Sequence, residues 1–325
     1  MIQEVECCTL CPRNCRAQRL QGKNGYCGVG NKIKVARAAL HMWEEPCISG
    51  ENGSGAVFFS GCNLGCVFCQ NHTIASGMTG NEVSVERLAE IFLSLQEQGA
   101  NNINLVTGTH YVPQIVRALD LAKNQGLIIP IVYNTGAYET VENIRRLDGY
   151  VDVYLPDLKY LDTKLSGKYS HAPDYFDVAS AAIAEMVRQV GTPLFAREDS
   201  GRKSEGKVLY DAAAYQEMEE QGVSQVMCRG VIVRHLLLPG CSTDSKKIIR
   251  YLLQTYQERI FISIMNQYTP LSHVSAYPEL MHKVTPEEYE DVVNYAIELG
   301  IENGFIQEGD VAEESFIPEF DGTGI

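Results

Sequence analysis

The sequence predicts an α/β barrel of parallel strand–helix units, preceded by a small cysteine-rich extension. From residue 56 onward, short and almost continuous apolar runs alternate six times with longer helix-like segments. Apolar runs of this kind are typical of parallel strands that helices cover on their faces. No glycine-rich dinucleotide fingerprint follows the first strand, which argues against a doubly wound open sheet. Six units are fewer than the eight of a closed barrel.

The six units succeed one another along the chain, and two helices begin with clear capping signals. Ser84 stands at the N-cap position of the first helix, and the residues from Thr285 to Glu288 form a capped start for the last. The predicted strand and helix of each unit are, in order, Ala56–Ser60 and Ser84–Gln98, Asn102–Val106 and Val112–Lys123, Leu127–Tyr133 and Glu139–Leu147, Val151–Leu155 and Tyr175–Val190, Val231–Leu238 and Asp244–Gln257, and Arg259–Met265 and Pro286–Leu299.

The length of 325 residues suits one barrel-sized domain with an appendage. We expect residues 1–50 to form a cysteine-rich metal-binding segment and residues 51–325 to form the barrel. A polar stretch, Arg197–Gly206, and a short acidic helix, Asp211–Gly222, separate the fourth and fifth units. We therefore expect an insertion at 196–228, which covers the active face, contacts a partner or is a solvated excursion.

Composition and charge exclude several classes of function. The net charge of −14 argues against a nucleic-acid substrate, because phosphate binding needs a basic face. No apolar run reaches the roughly eighteen residues of a membrane span. Residues 1–6 are acidic and lack the apolar core of a secretory signal. Eleven cysteines in such a chain predict metal ligation in the cytoplasm rather than disulfides.

Three cysteines, Cys62, Cys66 and Cys69, stand in one short loop with the spacing C-x3-C-x2-C. The loop follows the first predicted strand, so it lies at that strand's carboxyl end. Three thiolates are one fewer than a [4Fe–4S] cluster normally takes, which leaves one iron open to a substrate or cofactor. The alternatives are half of a disulfide framework and a structural zinc site with His72 as its fourth ligand, although the x3 gap is unusual for zinc.

A second cysteine group precedes the barrel. Its members, Cys8, Cys11, Cys15 and Cys27, lie on two short turns, and together they are enough to close a zinc site or a second [4Fe–4S] site. A metal would supply the folding free energy that so short a segment lacks. The alternative is a set of reduced thiols without a ligand.

The cysteine loop, with Phe68 just before its third cysteine, resembles the signature of the radical S-adenosylmethionine (SAM) superfamily. Within it, the run from Cys69 to His72 resembles the pyruvate formate-lyase-activating enzyme group, and the likeness extends from about Cys8 to Tyr268. It implies a partial (β/α)6 TIM-like barrel with a [4Fe–4S] cluster and SAM as cofactors. It further implies that SAM is cleaved to a 5′-deoxyadenosyl radical, which takes hydrogen from a substrate such as a glycine of a glycyl-radical enzyme.

The resemblance also implies partners and leaves alternatives. The expected partners are SAM, a protein or peptide substrate, and reduced flavodoxin or ferredoxin as electron donor, in a cell with little oxygen. One alternative is radical SAM modification of another peptide or of a small molecule. Another is a non-catalytic iron–sulfur or zinc scaffold.

In a barrel of parallel strands, the site lies at the carboxyl ends of the strands. Thr107, Gly108 and Thr109 stand where related enzymes have Gly-Gly-Glu beside the SAM amino group. Asn134 and Thr135 stand where the related enzymes usually have Asp-Thr. Relatives bind a cation at that aspartate, and because Asn134 lacks its charge, the resemblance does not decide whether this chain binds one. No side chain is expected to act as a catalyst beyond the cluster and SAM.

The later strands complete the candidate SAM site. Asp157 and Lys159 match the family's Asp-x-Lys, and the ammonium of Lys159 suits the SAM carboxylate. Arg234 and His235 point in opposite directions by strand alternation, and we expect Arg234 to face the barrel interior. Gln267 replaces a histidine of relatives, and Phe68 would lie beside the adenine. The segment from His41 to Pro46, with the only tryptophan, either flanks the cluster or forms a hinge.

Overall fold

Six parallel strands lie side by side in chain order, as the six apolar runs predict. The computed structural model describes residues 7–198, 208–307 and 318–325. The strands are β1 (Ile33–His41), β2 (Ser54–Phe59), β3 (Asn81–Val83), β4 (Ile103–Val106), β5 (Ile131–Thr135), β6 (Val153–Pro156), β7 (Leu194–Arg197), β8 (Gln225–Leu236), β9 (Phe261–Met265) and β10 (Gly304–Ile306).

Strands β2, β4, β5, β6, β8 and β9 form a continuous parallel series, to which β10 adds a short parallel edge. At the opposite edge, β1 pairs antiparallel with β2 and with β3. Strand β7 pairs antiparallel with the first half of β8. The predicted α/β class with a partial parallel barrel is confirmed, and β1 extends the same sheet into the first fifty residues.

Helices follow the strands, and the longer ones supply the outer layer. They are α1 (Pro46–Ser49), α2 (His72–Ala75), α3 (Val85–Glu97), α4 (Val112–Asn124), α5 (Val141–Arg145), α6 (Thr163–Ser170), α7 (Tyr175–Val190), α8 (Ala212–Glu220), α9 (Ser242–Tyr256) and α10 (Pro286–Glu298). The predicted caps are present, since Ser84 accepts a hydrogen bond from Arg87 N, and Thr285 forms a capping box with Glu288.

Several predicted boundaries are wrong for local reasons. The helix expected over 139–147 is limited to α5, because the Thr140 side chain caps it by accepting from Asn143 N. The strand expected over 127–133 begins only after Pro130, which has no N–H to donate. Strand β8 begins six residues early because β7 pairs with its first half. Helix α6, capped by Asp162, was not predicted.

Of the three apolar clusters of the described residues, the two largest lie on opposite sides of the sheet. The larger one joins the outer side of the sheet to helices such as α3, α4 and α7. The smaller one lies on the other side, where Cys47 and Ile48 of α1 pack with Val132, Val153 and Ile232 of the parallel strands. Helix α1 therefore sits against the inner face of the sheet, and Cys47 is a small buried hydrophobe, as expected for an isolated cysteine.

The predicted insertion at 196–228 is only partly visible. Residues 199–207 lie outside the described residues, as do residues 1–6. The rest contributes α8 and the paired strands β7 and β8 to the barrel. Among the helices of the described residues, none combines the length and the apolar character needed to cross a membrane.

Candidate active site

A cavity of about 900 Å³ opens at the carboxyl ends of the parallel strands. The loop after β2 forms one wall, and the ends of β4, β5, β6, β8 and β9 form the others. The segment before α1 also reaches this space. The volume is near the top of the roughly 300–1,000 Å³ range of ligand pockets. The cavity therefore has room for a SAM-sized molecule and part of a second ligand.

All three cysteines of the C-x3-C-x2-C loop line this cavity. Gly61 holds the loop's first turn at φ +91°, where a side chain would be strained, and a Cβ there would lie 2.6 Å from Cys27 O. The Cys66 Sγ accepts a hydrogen bond of 3.0 Å from the Ser170 hydroxyl. The loop is thus fixed by residues before and after it in the chain.

Two of the loop thiols, those of Cys66 and Cys69, do not ionise easily without a bound cation. The pKa of Cys66 is raised to about 11 and that of Cys69 to about 12, chiefly by burial and in smaller part by the nearby Cys62. The ammonium of Lys159 acts in the opposite direction on each. A metal centre must therefore displace the protons as it binds.

The donor set fits a cluster better than a zinc ion. Across the described ranges 7–198, 208–307 and 318–325, no three His, Cys, Asp or Glu side chains are grouped as a single metal ion requires. Cysteines of a [4Fe–4S] cube each bind a different iron, so their sulfurs stand further apart than the ligands of one ion. His72, the fourth ligand of the zinc alternative, is exposed and stacks on His273 with centroids 4.1 Å apart.

Arg234 is the centre of a charged network inside the cavity. Its Nε donates to Asp157 Oδ1 at 3.0 Å, its Nη1 to Glu44 Oε2 at 3.1 Å and its Nη2 to Asn134 Oδ1 at 2.6 Å. Asn134 in turn donates to Glu44 at 3.2 Å. The guanidinium thereby places a positive charge between Asn134 and Asp157. This is the place where relatives bind a cation, according to the resemblance.

Lys159 extends the network toward the cysteine loop. Its Nζ donates to Asp157 Oδ2 at 2.7 Å, with both side chains largely buried. Burial opposes ionisation of Asp157, but Lys159 and Arg234 outweigh it and lower the pKa of this carboxyl. The Tyr175 hydroxyl fixes the turn by donating to Asp157 O and accepting from Lys159 N. Lys159 is thus a cation fixed on the cavity wall by Asp157, and it lies close enough to Cys66 to lower the pKa of that thiol.

Two of the three threonines predicted at the SAM site bind a buried carboxylate instead. The hydroxyls of Thr109 and Thr135 donate to Glu139 Oε1 at 2.7 and 2.8 Å, and Tyr133 donates to the same oxygen at 2.9 Å. Glu139 is 1% exposed, and burial raises its pKa despite these donors. Thr109 still touches the cavity, whereas Thr135 is not among the lining residues. The sequence offered no signal for Glu139.

Of the remaining residues predicted to contact SAM, some line the cavity and one does not. Phe68, Thr107 and Gln267 line the cavity, whereas Gly108 is buried outside it. The Phe68 ring packs edge-on against Tyr160 and Tyr268, so it is the backbone of this residue that can face a ligand. Thr107 has φ +61°, an uncommon value for a β-branched residue and one that is often associated with a site.

Consecutive carboxylates, Glu44 and Glu45, also reach the cavity. Glu44 pairs with Arg234, whereas Glu45 forms no ion pair within the described residues. Burial raises the pKa of Glu45 to about 7, and Arg234 and the Ser263 hydroxyl only partly offset it. The segment from His41 to Pro46 therefore lies on the same cavity as the cysteine loop.

Two buried histidines near the site belong to the core. The Nε2 of His110 lies 2.8 Å from Ser60 O, and burial lowers its pKa to about 3. His235 contacts Leu158 O and the Ser245 hydroxyl at 2.8 Å each, and burial lowers its pKa to about 4. Both rings are neutral at ordinary pH, and His235 points away from Arg234 as alternation requires.

The N-terminal cysteines gather beside the cysteine loop. Cys11 and Cys27 are buried, and the sulfurs of Cys15 and Cys27 each lie 3.4 Å from the position of a Cβ on Gly25. Cys27 is close enough to Cys8 and Cys15 for both to raise its pKa, after the larger effect of burial. The Cys27 carbonyl accepts from Cys62 N at 3.3 Å, which joins the two cysteine groups directly.

A family model and several known proteins resemble this chain. Residues 56–193 match the family model of the radical SAM superfamily. The match spans the cysteine loop and the first four parallel strands. It covers less than half of the chain and agrees with the resemblance that the cysteine loop carries to this superfamily.

Individual relatives and solved structures show a likeness of sequence or fold, but not of function. The uncharacterized protein MJ0674 of Methanocaldococcus jannaschii is 27% identical over 302 residues, which are 89% of this chain and 74% of that protein. Streptococcus suis SuiB bound to precursor peptide SuiA aligns with a TM-score of 0.46 and 14% identity over 77% of this chain. Methylornithine synthase (PylB) aligns with a TM-score of 0.47 and 12% identity over 81% of this chain and 68% of its own. The chain covers 47% of SuiB, about half its length, and likeness at this level does not extend to substrate.

Proposed function

We propose that Cys62, Cys66 and Cys69 hold a [4Fe–4S] cluster and that the strand ends hold SAM against its open iron. One observation carries this proposal: the three loop cysteines and the charged residues of the strand ends line the same cavity. A structural metal site would be closed by its own ligands. Here the three thiols face a space of about 900 Å³.

Cys62, Cys66 and Cys69 would hold the cluster, which would supply the one electron needed to cleave SAM to methionine and a 5′-deoxyadenosyl radical that takes a hydrogen atom from the substrate. The chain's residues bind and orient SAM and keep water out. Lys159 is the candidate partner of the SAM carboxylate, because its ammonium lies on the wall beside the loop. Asp157 orients Lys159, and Arg234 fixes Asp157 and Asn134.

The other predicted SAM contacts take narrower roles. Thr107 and Gln267 can contact SAM from the cavity wall, and the Phe68 backbone can face the adenine. The hydroxyls of Thr109 and Thr135 are held by Glu139, so we assign them to support of the wall rather than to binding. Gly108 serves the same wall, since a Cβ there would lie 2.7 Å from an Ile115 methyl.

For the substrate, we propose a glycine in a protein loop, as in activation of a glycyl-radical enzyme. The likeness of the run from Cys69 to His72 to activating enzymes supports this choice. The proposed electron donor is reduced flavodoxin or ferredoxin, and the proposed setting is the cytoplasm of a cell with little oxygen. The alternative is another peptide or a small molecule, favoured by the departures at Thr107–Thr109, Asn134 and Gln267.

We also propose that Cys8, Cys11, Cys15 and Cys27 form a second metal site. The approach of the Cys15 and Cys27 sulfurs to Gly25 supports a common ligand. Both zinc and a second [4Fe–4S] cluster suit four thiolates. Among the described residues no three metal-ligating side chains are grouped as one ion requires, and this favours the cluster here as it does in the loop.

The test is anaerobic reconstitution with iron and sulfide, followed by SAM and a reductant. We expect about four iron atoms per chain in the loop site and formation of 5′-deoxyadenosine. Cys66→Ala should abolish 5′-deoxyadenosine. Cys241→Ala, a half-buried cysteine away from the cavity, is the matched control and should retain it. Tightly bound zinc without iron in the loop site would overturn the proposal.

The substrate is tested separately. A glycyl-radical enzyme encoded beside this chain should gain a glycyl radical signal in electron paramagnetic resonance when it is incubated with the reconstituted protein, SAM and reductant. Formation of 5′-deoxyadenosine without that signal would move the substrate to the alternative class while leaving the radical SAM chemistry intact.

A further inference from the structure

Glu45 is a buried charged side chain without a partner among the described residues. It stands at the N-cap of α1, yet its side chain makes no capping hydrogen bond there. It is nine-tenths buried and lines the cavity. Its neighbour Glu44 is bound by Arg234, whereas no ion pair to Glu45 exists within the described residues. Carboxylates are almost never buried to this degree unless they are paired, so the position of Glu45 points to a partner that a ligand supplies.

A neighbouring hydroxyl is also unused. Ser263 on β9 is fully buried and close enough to lower the pKa of Glu45. Its Oγ nevertheless forms no hydrogen bond of normal geometry with any described residue. Buried polar groups in folded proteins are nearly always hydrogen-bonded. Two neighbouring groups with unused hydrogen-bonding capacity therefore indicate a place for a third group that binds both.

Glu45 lies at the floor of the cavity, away from the cysteine loop. Helix α1 begins directly after Glu45 and packs through Ile48 against inner residues of the parallel strands. Ser263 lies within β9, two residues before the strand ends. Lys159 and the cysteine loop instead come after the ends of β6 and β2. SAM held by Lys159 against the loop would therefore leave the space above Glu45 to the substrate.

The charges that line the cavity favour a cationic ligand. Lys159 and Arg234 already hold the carboxylates of Asp157 and Glu44. Burial, and after it the charges of Glu44 and Asp157, raise the pKa of Glu45 to about 7 against the opposing effect of Arg234. The described lining residues include four acidic side chains and two basic ones, which are Glu44, Glu45, Asp157 and Glu219 against Lys159 and Arg234. The carboxyl of Glu45 is thus the one that lacks a positive charge of its own inside the network.

Aromatic side chains line the same cavity. Trp43 and Phe305 are both among its lining residues. Phe305 is also the residue of β10 that pairs with Ser263. Aromatic faces attract ammonium and guanidinium groups, and a carboxylate binds these groups by charge-assisted hydrogen bonds. A carboxylate and aromatic side chains in one cavity recognise a cation in preference to an anion.

We propose that Glu45 is a substrate-binding residue, and that the substrate places an ammonium or guanidinium group beside its carboxylate. The proposal rests on the proposed function and defines the substrate class of the same site more closely. In a protein substrate, the cation is a lysine or arginine near the glycine. In a small-molecule substrate, it is an amine.

The first test measures binding without catalysis. The reconstituted protein is saturated with SAM in the absence of reductant and dialysed against the peptide acetyl-Ala-Gly-Ala-Lys-amide, or against the same peptide with norleucine in place of lysine. We expect the lysine peptide to bind at least about tenfold more tightly, because a hydrogen bond to a charged group is worth more than one factor of ten. Butylammonium and butanol form the corresponding small-molecule pair. A preference in the peptide pair alone assigns the cation to a protein, and a preference in the small-molecule pair alone assigns it to an amine.

The second test removes the charge. Glu45→Gln keeps the shape of the side chain and should abolish the preference for the lysine peptide while SAM affinity is unchanged. Glu219→Gln is the matched control, because Glu219 is an exposed carboxylate that lines the same cavity, and its loss should leave the preference intact. A preference lost equally in both variants would show that the total charge of the cavity selects the ligand, which would overturn the role of Glu45.

The remaining outcomes separate this proposal from the proposed function. Equal binding of both members of each pair by the wild type would overturn the cation site, and this comparison needs no variant. A fall in SAM affinity in Glu45→Gln as large as the fall for the lysine peptide would assign Glu45 to SAM and overturn the cation site as well. Absence of 5′-deoxyadenosine from the wild type would overturn the proposed function instead, and the binding comparison, which needs no cleavage of SAM, would still decide whether Glu45 selects a cation.

Discussion

Glu45 gives the chain a pH dependence whose sign and size follow from its burial. The side chain is 8% exposed on the cavity, beside Glu44 and Arg234. Burial raises its pKa from 4.5 to about 7, and the carboxylates of Glu44 and Asp157 add to that effect. Arg234 and the Ser263 hydroxyl oppose it. The folded protein therefore holds a proton at Glu45 that the unfolded chain would release.

The consequence for stability has a definite direction. Below pH 4.5, Glu45 is protonated in both states and costs nothing. Between pH 4.5 and 7, only the folded state keeps the proton, so stability falls steadily as the pH rises. Above pH 7, the folded state must hold an ionised carboxylate with little solvent around it. One pKa unit corresponds to about 1.4 kcal/mol, so the difference between 4.5 and about 7 amounts to about 3 kcal/mol.

Glu45→Gln removes this cost while keeping the shape of the side chain. We expect the variant to gain about 3 kcal/mol over the wild type at pH 8 and almost nothing at pH 4.5. The measurement is urea unfolding of both proteins under reducing, metal-free conditions at several pH values, followed by circular dichroism. Glu97→Gln is the matched control, because Glu97 is exposed at the end of α3 and should give a flat difference.

A difference between Glu45→Gln and wild type that stays constant from pH 4.5 to 8 would refute this reasoning, as would a variant that loses stability at pH 8. Glu45 lines the cavity in which we expect the substrate to meet SAM. We therefore also expect Glu45→Gln to lower the yield of modified substrate while 5′-deoxyadenosine formation continues.

Three further changes have outcomes that follow from single contacts. Arg234→Lys keeps the charge but cannot hold three partners at once, so SAM affinity should fall at least tenfold in equilibrium dialysis, and unchanged affinity would exclude Arg234 from the site. Ser84→Ala removes the α3 cap and should cost about 1 kcal/mol in urea unfolding without changing 5′-deoxyadenosine yield. Glu139→Ala leaves the Thr109 and Thr135 hydroxyls without their acceptor, so it should cost at least about 2 kcal/mol in the same unfolding assay. A cost below about 0.5 kcal/mol, which is typical of surface substitutions, would show that water replaces the lost carboxylate.

The sequence determined the features that depend on neighbouring residues. Strand-length apolar runs and helix caps such as Ser84 are local signals, and they placed the six parallel strands in their correct order. The spacing of Cys62, Cys66 and Cys69 within one loop is equally local, and it predicted a cluster loop at a strand end. The sequence also placed Lys159 at the strand end where the structure finds it, because parallel strands end at a common edge.

Only the tertiary structure decided which groups meet across the barrel. Glu44 and Arg234 are 190 residues apart, and Arg13 lies 50 residues from Asn63. The hydroxyl of Thr135 seemed free for SAM in the sequence, yet it donates to Glu139 once α5 begins two residues later than predicted. The physical reason is that a buried polar group takes whichever partner the closed packing brings within hydrogen-bonding distance. No local pattern records that distance, because it is set by the sheet as a whole.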